Sequence, residues 1–282
     1  MAIPAATTHA CVYCDLFGEP CCAAAGGQPA FGSDTPIGTD DQPTYRLQGG
    51  QWPQPGGDGT PVTITYSYNN LLDGGLLDPQ GQSVPAGFLR TVVEEALGLW
   101  ASVAPLHFVE VEDEGGGVRT SAYPDGQFGQ IRFSHRYING PDPPDGPPTT
   151  KAQAYFPSAG GNLAGDVFYD NGDPWAVAGT LSEPDILGAT IHELGHALGL
   201  GHDPNPDANM YWIFNRTSGP GGGALHFSDI AGIQAIYGAG AGSVTPLIRV
   251  PEPAAVSLAL AGGLACFTGY RRRRSSCVAA AG

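Results

Sequence analysis

HELGHALGLGHD, residues 192–203, places three histidines, one glutamate and three glycines in twelve consecutive positions. On an α-helix His192 and His196 are four residues apart, so they share a face and sit one turn from each other. Two imidazole nitrogens so arranged reach a single Zn²⁺ at about 2.0–2.1 Å. Glu193 follows the first histidine and projects beside the pair, placed to act on a water without ligating the metal. Glycine at 199 can adopt a left-handed backbone, which lets the helix stop and the chain turn. His202 then returns as a third ligand, and three protein ligands leave one position open, as in catalytic rather than structural zinc sites. The competing reading is an ordinary amphipathic helix end that happens to be rich in histidine. It would bury three imidazoles without a common partner, which is costly.

Working outward, the chain reads as strands and helices in an α+β order. PVTITYSY (61–68) alternates and is β-branched, and LHFVEVED (106–113), GQIRFSH (129–135), KAQAYF (151–156) and GDVFYD (165–170) read as further strands. PAGFLRTVVEEALGLWASVA (85–104) spaces Phe88, Val92, Leu99, Trp100 and Val103 as an amphipathic helix would. SEPDILGATIHELGHALGL (182–200) opens with helix-start chemistry in Ser182, Glu183 and Pro184. HFSDIAGIQAIYG (226–238) reads as a last short helix, with Ser228 or Asp229 near its start and Gly238 closing it. Five or so strands with three helices, not alternating strictly, exclude a doubly wound sheet.

Composition divides the chain further. Gly (43) and Pro (26) cluster between the apolar runs, as in a loop-rich globular domain. Residues 1–250 hold all but one of the 27 acids and only eight of the 12 bases, so their surface repels phosphate backbones and nucleic acid is excluded as a partner. Residues 1–43 show no periodicity and read as a disordered or leader segment, with 44–240 as the domain that carries the histidine motif and 241–250 as a linker. Cys11, Cys14, Cys21 and Cys22 lie in the first of these, where disulfides, a leader and a metal knuckle stay open as readings. MAIPAATTHACVYC has neither a basic residue nor a continuous apolar run, so an export signal is expected upstream of Met1. At the other end, Pro251, Glu252 and Pro253 precede a mostly apolar run, 254–270, and then Arg271, Arg272, Arg273 and Arg274. As a helix that run spans about 25 Å, just short of a hydrocarbon core, and the arginines would stay cytoplasmic. A buried C-terminal helix is the other reading.

HELGHALGLGH (192–202) resembles the extended HExxHxxGxxH signature of the metzincin metallopeptidases, and its surroundings are similar to one branch, the matrixins. Met210 in DANMYW is similar to the Met-turn beneath the zinc. FSDIAGIQAIYG (227–238) resembles the matrixin C-terminal helix, and AQAYFPSAGGNLAGDVFYDNGDPW (152–175) the paired strands and calcium loops. The likeness runs over about 44–240. It implies a metzincin fold, a twisted mixed sheet of about five strands with three helices and the catalytic zinc in a cleft between upper and lower subdomains. Separately, residues 251–275 resemble a PEP-CTERM sorting signal, followed by a tail over 276–282. That implies an exported bacterial protein of the cell envelope or extracellular space, transiently anchored through its C-terminal helix and processed by an exosortase-type enzyme.

The departures from the matrixin pattern matter as much. A second, structural zinc in the family sits on histidines of the paired strands, where this chain has Gln153 and Phe168. The upstream ligands are replaced within INGPDPP (138–144), and His135 alone cannot make a site, so no structural zinc is expected. For calcium, Asp145 (with Gly146), Asp170 and Asp173 match one family site and Asp166 half of another. Turn-forming aspartates in Gly/Pro loops are the alternative, and both readings stand at this point. Trp212 occupies the place of a zinc-touching tyrosine found in other metzincins, the proline usual after the Met-turn is missing, and no PRCGVPD-like switch is present.

The resulting expectation is an exported zinc endopeptidase acting on polypeptides, a monomer, with His192, His196 and His202 as zinc ligands, Glu193 as general base, and Gly199 and Met210 in support. The alternative is a non-enzymatic envelope or matrix protein on a metzincin scaffold.

Overall fold

The structure, a computed structural model, describes residues 44–48, 50–115, 128–141, 149–177, 185–213 and 219–247. The leader with its cysteines, Asp145, residues 182–184 and everything after 247, including Pro251 to Pro253 and Arg271 to Arg274, lie outside the described residues. No helix among those described is long and apolar enough to cross a membrane.

Alternation in VTITYSY produces strand β1 (Val62–Tyr68), which buries Val62, Ile64, Tyr66 and Tyr68 on one face. Helix α1 (Ala86–Ala101) carries the chain across to β2 (Leu106–Glu110), and β1 and β2 pair in parallel with Val62 opposite Leu106. A parallel pair needs such a long crossover, and α1 supplies it. The helix buries Leu89, Val92, Val93, Ala96, Leu97 and Trp100. Of the expected stripe, Val92 and Trp100 are buried, whereas Phe88, Leu99 and Val103 pack only partly against the core.

Strands β3 (Ile131–Arg136), β4 (Ala152–Ala154) and β5 (Val167–Asp170) extend the sheet, followed by helices α2 (Ile186–Ala197) and α3 (Phe227–Tyr237) and strand β6 (Ser243–Thr245). The order across the sheet is β4-β5-β3-β1-β2-β6, and every pair is parallel except β4 with β5. The architecture is α+β, a mixed sheet of six strands with three helices among the described residues. The sixth strand lies in the stretch read as a linker and pairs with β2 through His107 opposite Ser243.

All twelve residues of α2 are buried, including His192, Glu193 and His196. Its first turn is capped by Asp185, whose carboxylate accepts from the Gly188 N–H at 2.8 Å, so the helix begins after the Ser-Glu-Pro expected to open it. Its last carbonyls are satisfied from two directions. The Trp52 indole donates to Ala197 at 2.9 Å and the Tyr237 hydroxyl to Leu198 at 2.9 Å. From the side, the Trp100 indole donates to the Ile191 carbonyl at 3.1 Å, and the Tyr169 hydroxyl pairs with Thr190 Oγ1 at 2.7 Å. The helix that carries the histidines is thereby fixed to α1, β5 and α3.

Candidate metal centre

Beyond Ala197 the helix stops as the motif demands. Gly199 has φ +107°, and a Cβ there would lie 2.2 Å from the Gly50 carbonyl oxygen, so conformation and space both require glycine. The turn brings His202 back beside the helical pair. One ring nitrogen from each of His192, His196 and His202 lies within 4.8 Å of the others. Nε2 of His196 and Nε2 of His202 are 3.2 Å apart. Donors around a tetrahedral zinc at about 2.0–2.1 Å are separated by about 3.3 Å, so the spacing fits that ion.

Hydrogen bonding settles which nitrogens face the common point. His192 Nδ1 donates to the Asn209 carbonyl at 2.6 Å and His196 Nδ1 to the Leu200 carbonyl at 2.7 Å. Both rings therefore keep their Nε2 lone pairs free, the outer-shell arrangement typical of metal-ligating histidines. Burial, with the charge of a neighbouring histidine second, pushes all three imidazoles down to about 3, which favours the neutral form that binds metal. Burial alone pushes Glu193 up to about 8. A cation held by the histidines would draw it back down. Phe156 meets the His196 ring edge to face, with ring centres 5.4 Å apart.

Two residues that sequence reasoning passed over hold this centre together. Asp229, on the first turn of α3, accepts from the backbone N–H groups of Asn209 (2.9 Å), Met210 (3.1 Å) and His226 (3.0 Å). Asn209 offers its carbonyl to His192, while its side chain donates to Ala224 and Asp229. Neither role has a sequence signature, since one works through a backbone carbonyl and the other was legible only as helix-start chemistry. The helix cap itself is His226, whose ring accepts from the Ser228 N–H at 3.3 Å. Met210 lies against α2, and a Cβ on Gly195 would be 2.1 Å from its sulfur. Gly195 is thus as necessary to the motif as Gly199. Trp212 is partly exposed, with its ring 5.3 Å from that of Tyr211.

The aspartates ahead of α2 are not gathered in the same way. Among the described residues, the three histidines are the one group of three or more potential ligands close enough to share an ion. Asp170 accepts from four backbone N–H groups, those of Ile138, Asn139, Gly140 and Gly172, at 2.7–3.1 Å. This is the turn-forming role. Asp173 pairs with Lys151 at 2.6 Å. Asp166 is buried with Oδ1 lacking a hydrogen-bond partner among the described residues, and burial pushes its carboxyl up to about 8. Gln153 and Phe168 face each other across β4 and β5, and the Arg136 guanidinium stacks 4.3 Å over Phe168 while donating to Gln153. His135 pairs instead with Asp73 at 2.8 Å.

Residues 76–238 match the matrixin family of peptidases. The chain belongs to the matrixin family. It is 36% identical over 203 residues to human matrix metalloproteinase-20, covering 71% of this chain and 35% of that one. It is 34% identical over 157 residues to horse stromelysin-1 (56% and 30%) and 37% identical over 147 residues to human matrilysin (52% and 49%). This matrixin therefore spans between about a third and a half of the relatives' own length. The family is zinc-dependent, and this member carries a three-histidine cluster whose donors, tautomers and spacing fit the ion.

Proposed function

We propose that the chain is an exported zinc-dependent endopeptidase, with His192, His196 and His202 as the ligands of one zinc and Glu193 as the general base. The observation that carries this reading is the convergence of three imidazoles, two with Nδ1 committed to a backbone carbonyl, beside a buried carboxylate. Bound there, zinc supplies Lewis acidity, polarising the scissile carbonyl and lowering the pKa of a water. Glu193 takes the proton of the attacking water and passes it to the leaving amine. Strand β4 lies at the edge of the sheet, and Phe156 just beyond it touches His196, so a polypeptide added alongside β4 runs towards the histidines.

A single zinc is consistent with Arg136, whose guanidinium occupies the space between Gln153 and Phe168 where a second cation would be repelled. Calcium is proposed at Asp166, whose buried Oδ1 has no hydrogen-bond partner among the described residues, a feature a hard cation satisfies. Asp145 lies outside the described residues, the four N–H contacts of Asp170 favour the turn-forming reading for that residue, and Asp173 is engaged by Lys151. Export, sorting through Pro251 to Arg274 and transient anchoring rest on the sequence resemblance, and fractionation of cells with and without residues 251–282 tests them.

The deciding experiment compares wild type with Glu193→Ala on an unfolded protein substrate, with metal content measured in parallel. The expected result is one zinc per chain in both proteins, with cleavage at least about 100-fold slower in the variant. A chain that binds no zinc, or a variant as fast as wild type, overturns the reading and leaves the non-enzymatic scaffold in its place.

A further inference from the structure

The third histidine differs from the other two in lying beyond the end of α2, where no helical hydrogen bonds hold the backbone. What holds it is a segment that belongs to no motif. Residues 44–48 pass antiparallel to residues 199–203, with Leu47 bridged to Leu200. The Gln48 N–H donates to the Gly199 carbonyl at 3.2 Å and the Gly201 N–H to the Arg46 carbonyl at 2.9 Å. At the end of this short ladder the Thr44 hydroxyl donates to Oδ1 of Asp203 at 2.6 Å. The same oxygen accepts from the Asn205 N–H at 2.8 Å, and the Asp203 N–H donates to the Met210 carbonyl at 2.7 Å.

The ladder touches the supports of two ligands. Asp203 follows His202 directly, and Leu200, its bridging residue, offers the carbonyl that orients His196. Its close fit depends on small residues: a Cβ on Gly199 would strike the Gly50 carbonyl oxygen, and one on Gly201 would lie 2.8 Å from the Gln48 side chain. Asp203, whose buried carboxylate joins Thr44 and its own turn and whose backbone N–H joins the Met210 segment, has more bonds than a loop residue needs simply to leave a helix.

We propose that Asp203, tied to Thr44, is a positioning residue for the metal centre, so that the 44–48 segment sets the aim of His202 and His196 at the cation. This rests on the zinc reading of the three histidines. A ligand on an unsupported loop must be ordered when metal binds, and that ordering weakens affinity. Here the ladder orders it in advance.

The test uses the full chain as wild type, Thr44→Val, Thr44→Ser and Asp203→Ala. Zinc affinity is measured by competition with a chromogenic chelator, the ligand field by the visible spectrum of the Co²⁺-substituted protein, and folding by melting of the zinc-free form. Thr44→Val is expected to weaken zinc about 10-fold and Asp203→Ala up to about 100-fold. Thr44→Ser should restore wild-type affinity, the cobalt bands of Thr44→Val should shift, and its zinc-free melting temperature should stay at the wild-type value. If Asp203→Ala does not fold, Thr44→Val decides, because it removes one hydroxyl donor and nothing else. Zinc affinities within about twofold of wild type with unchanged cobalt spectra overturn the proposal. So does an affinity loss matched by a lower zinc-free melting temperature and not rescued by serine. A wild-type chain without zinc would refute the zinc reading itself, a result distinct from either.

Discussion

Two regions of this matrixin carry side chains suited to a divalent cation, and they are built in opposite ways. In the first, His192, His196 and His202 come from one helix and its exit, and their ring nitrogens lie within 4.8 Å of one another. In the second, Asp166, Asp170 and Asp173 come from a strand and the turns around it, and each carboxylate has a different occupation. Asp170 collects four backbone N–H groups, Asp173 an ammonium group, and Asp166 leaves one oxygen without a hydrogen-bond partner among the described residues. Helical spacing brings donors together by itself, whereas donors spread over loops go where the rest of the chain puts them. A row of aspartates in glycine-rich sequence is therefore weak evidence for one site.

The largest effect expected on this contrast is at Asp170. Replacing it by alanine strands four N–H groups in a buried turn, and the loss should be about 3–5 kcal/mol in urea denaturation, with Asp170→Asn losing less. A cost below about 1 kcal/mol would mean that the turn does not depend on this carboxylate, and the cation role would again be open to it.

Asp166 sharpens the comparison through pH. Burial raises its folded-state pKa to about 8 from an ordinary value near 3.8. The folded state therefore holds a proton that the unfolded chain has released, and stability falls as pH rises between about 4 and 8. In the zinc-loaded protein without calcium, wild type should lose roughly 5–10 °C of melting temperature across that window relative to Asp166→Asn. Millimolar Ca²⁺ should remove the difference for wild type and do nothing for the variant. Parallel curves for the two proteins would show that the carboxylate is not charged at a cost, and a calcium effect on both would place the ion elsewhere.

The same contrast explains what could be read from the sequence. The ligand set of α2 was legible because four-residue spacing, an adjacent glutamate and a stopping glycine are local and periodic. The strands around 62–68 and 131–136 were legible for the same reason. Strand β6 was not, since SVT is three residues among glycines and becomes a strand only by pairing with β2. The start of α2 was misplaced because several good caps occur in a row, and the choice of Asp185 depends on its reach to Gly188. The bounds of α3 were legible, but its capping side chain was not, because a histidine ring seldom serves as the acceptor of a capping box. Asn209 and Asp229 act on His192 through backbone groups, which no residue pattern records.

Gly195 gives the smallest of these effects and tests how far local spacing accounts for the motif. It sits in the middle of α2, where alanine would be the better helix former by up to about 1 kcal/mol. Local reasoning therefore predicts that Gly195→Ala stabilises the protein. Packing predicts the reverse, because the new methyl would lie 2.1 Å from the Met210 sulfur and 3.2 Å from Cζ2 of Trp100. Overpacking of this kind costs about 1–3 kcal/mol, enough to outweigh the helix propensity, so the variant should be destabilised by about 1–2 kcal/mol. The cause can be isolated with Met210→Ala, which removes the sulfur that the methyl strikes. The double variant should then be less destabilised than the sum of the two single changes by at least about 0.5 kcal/mol. If the changes instead add, the constraint at 195 comes from Trp100 or from the helix itself, and Met210 supports the zinc helix without dictating its sequence.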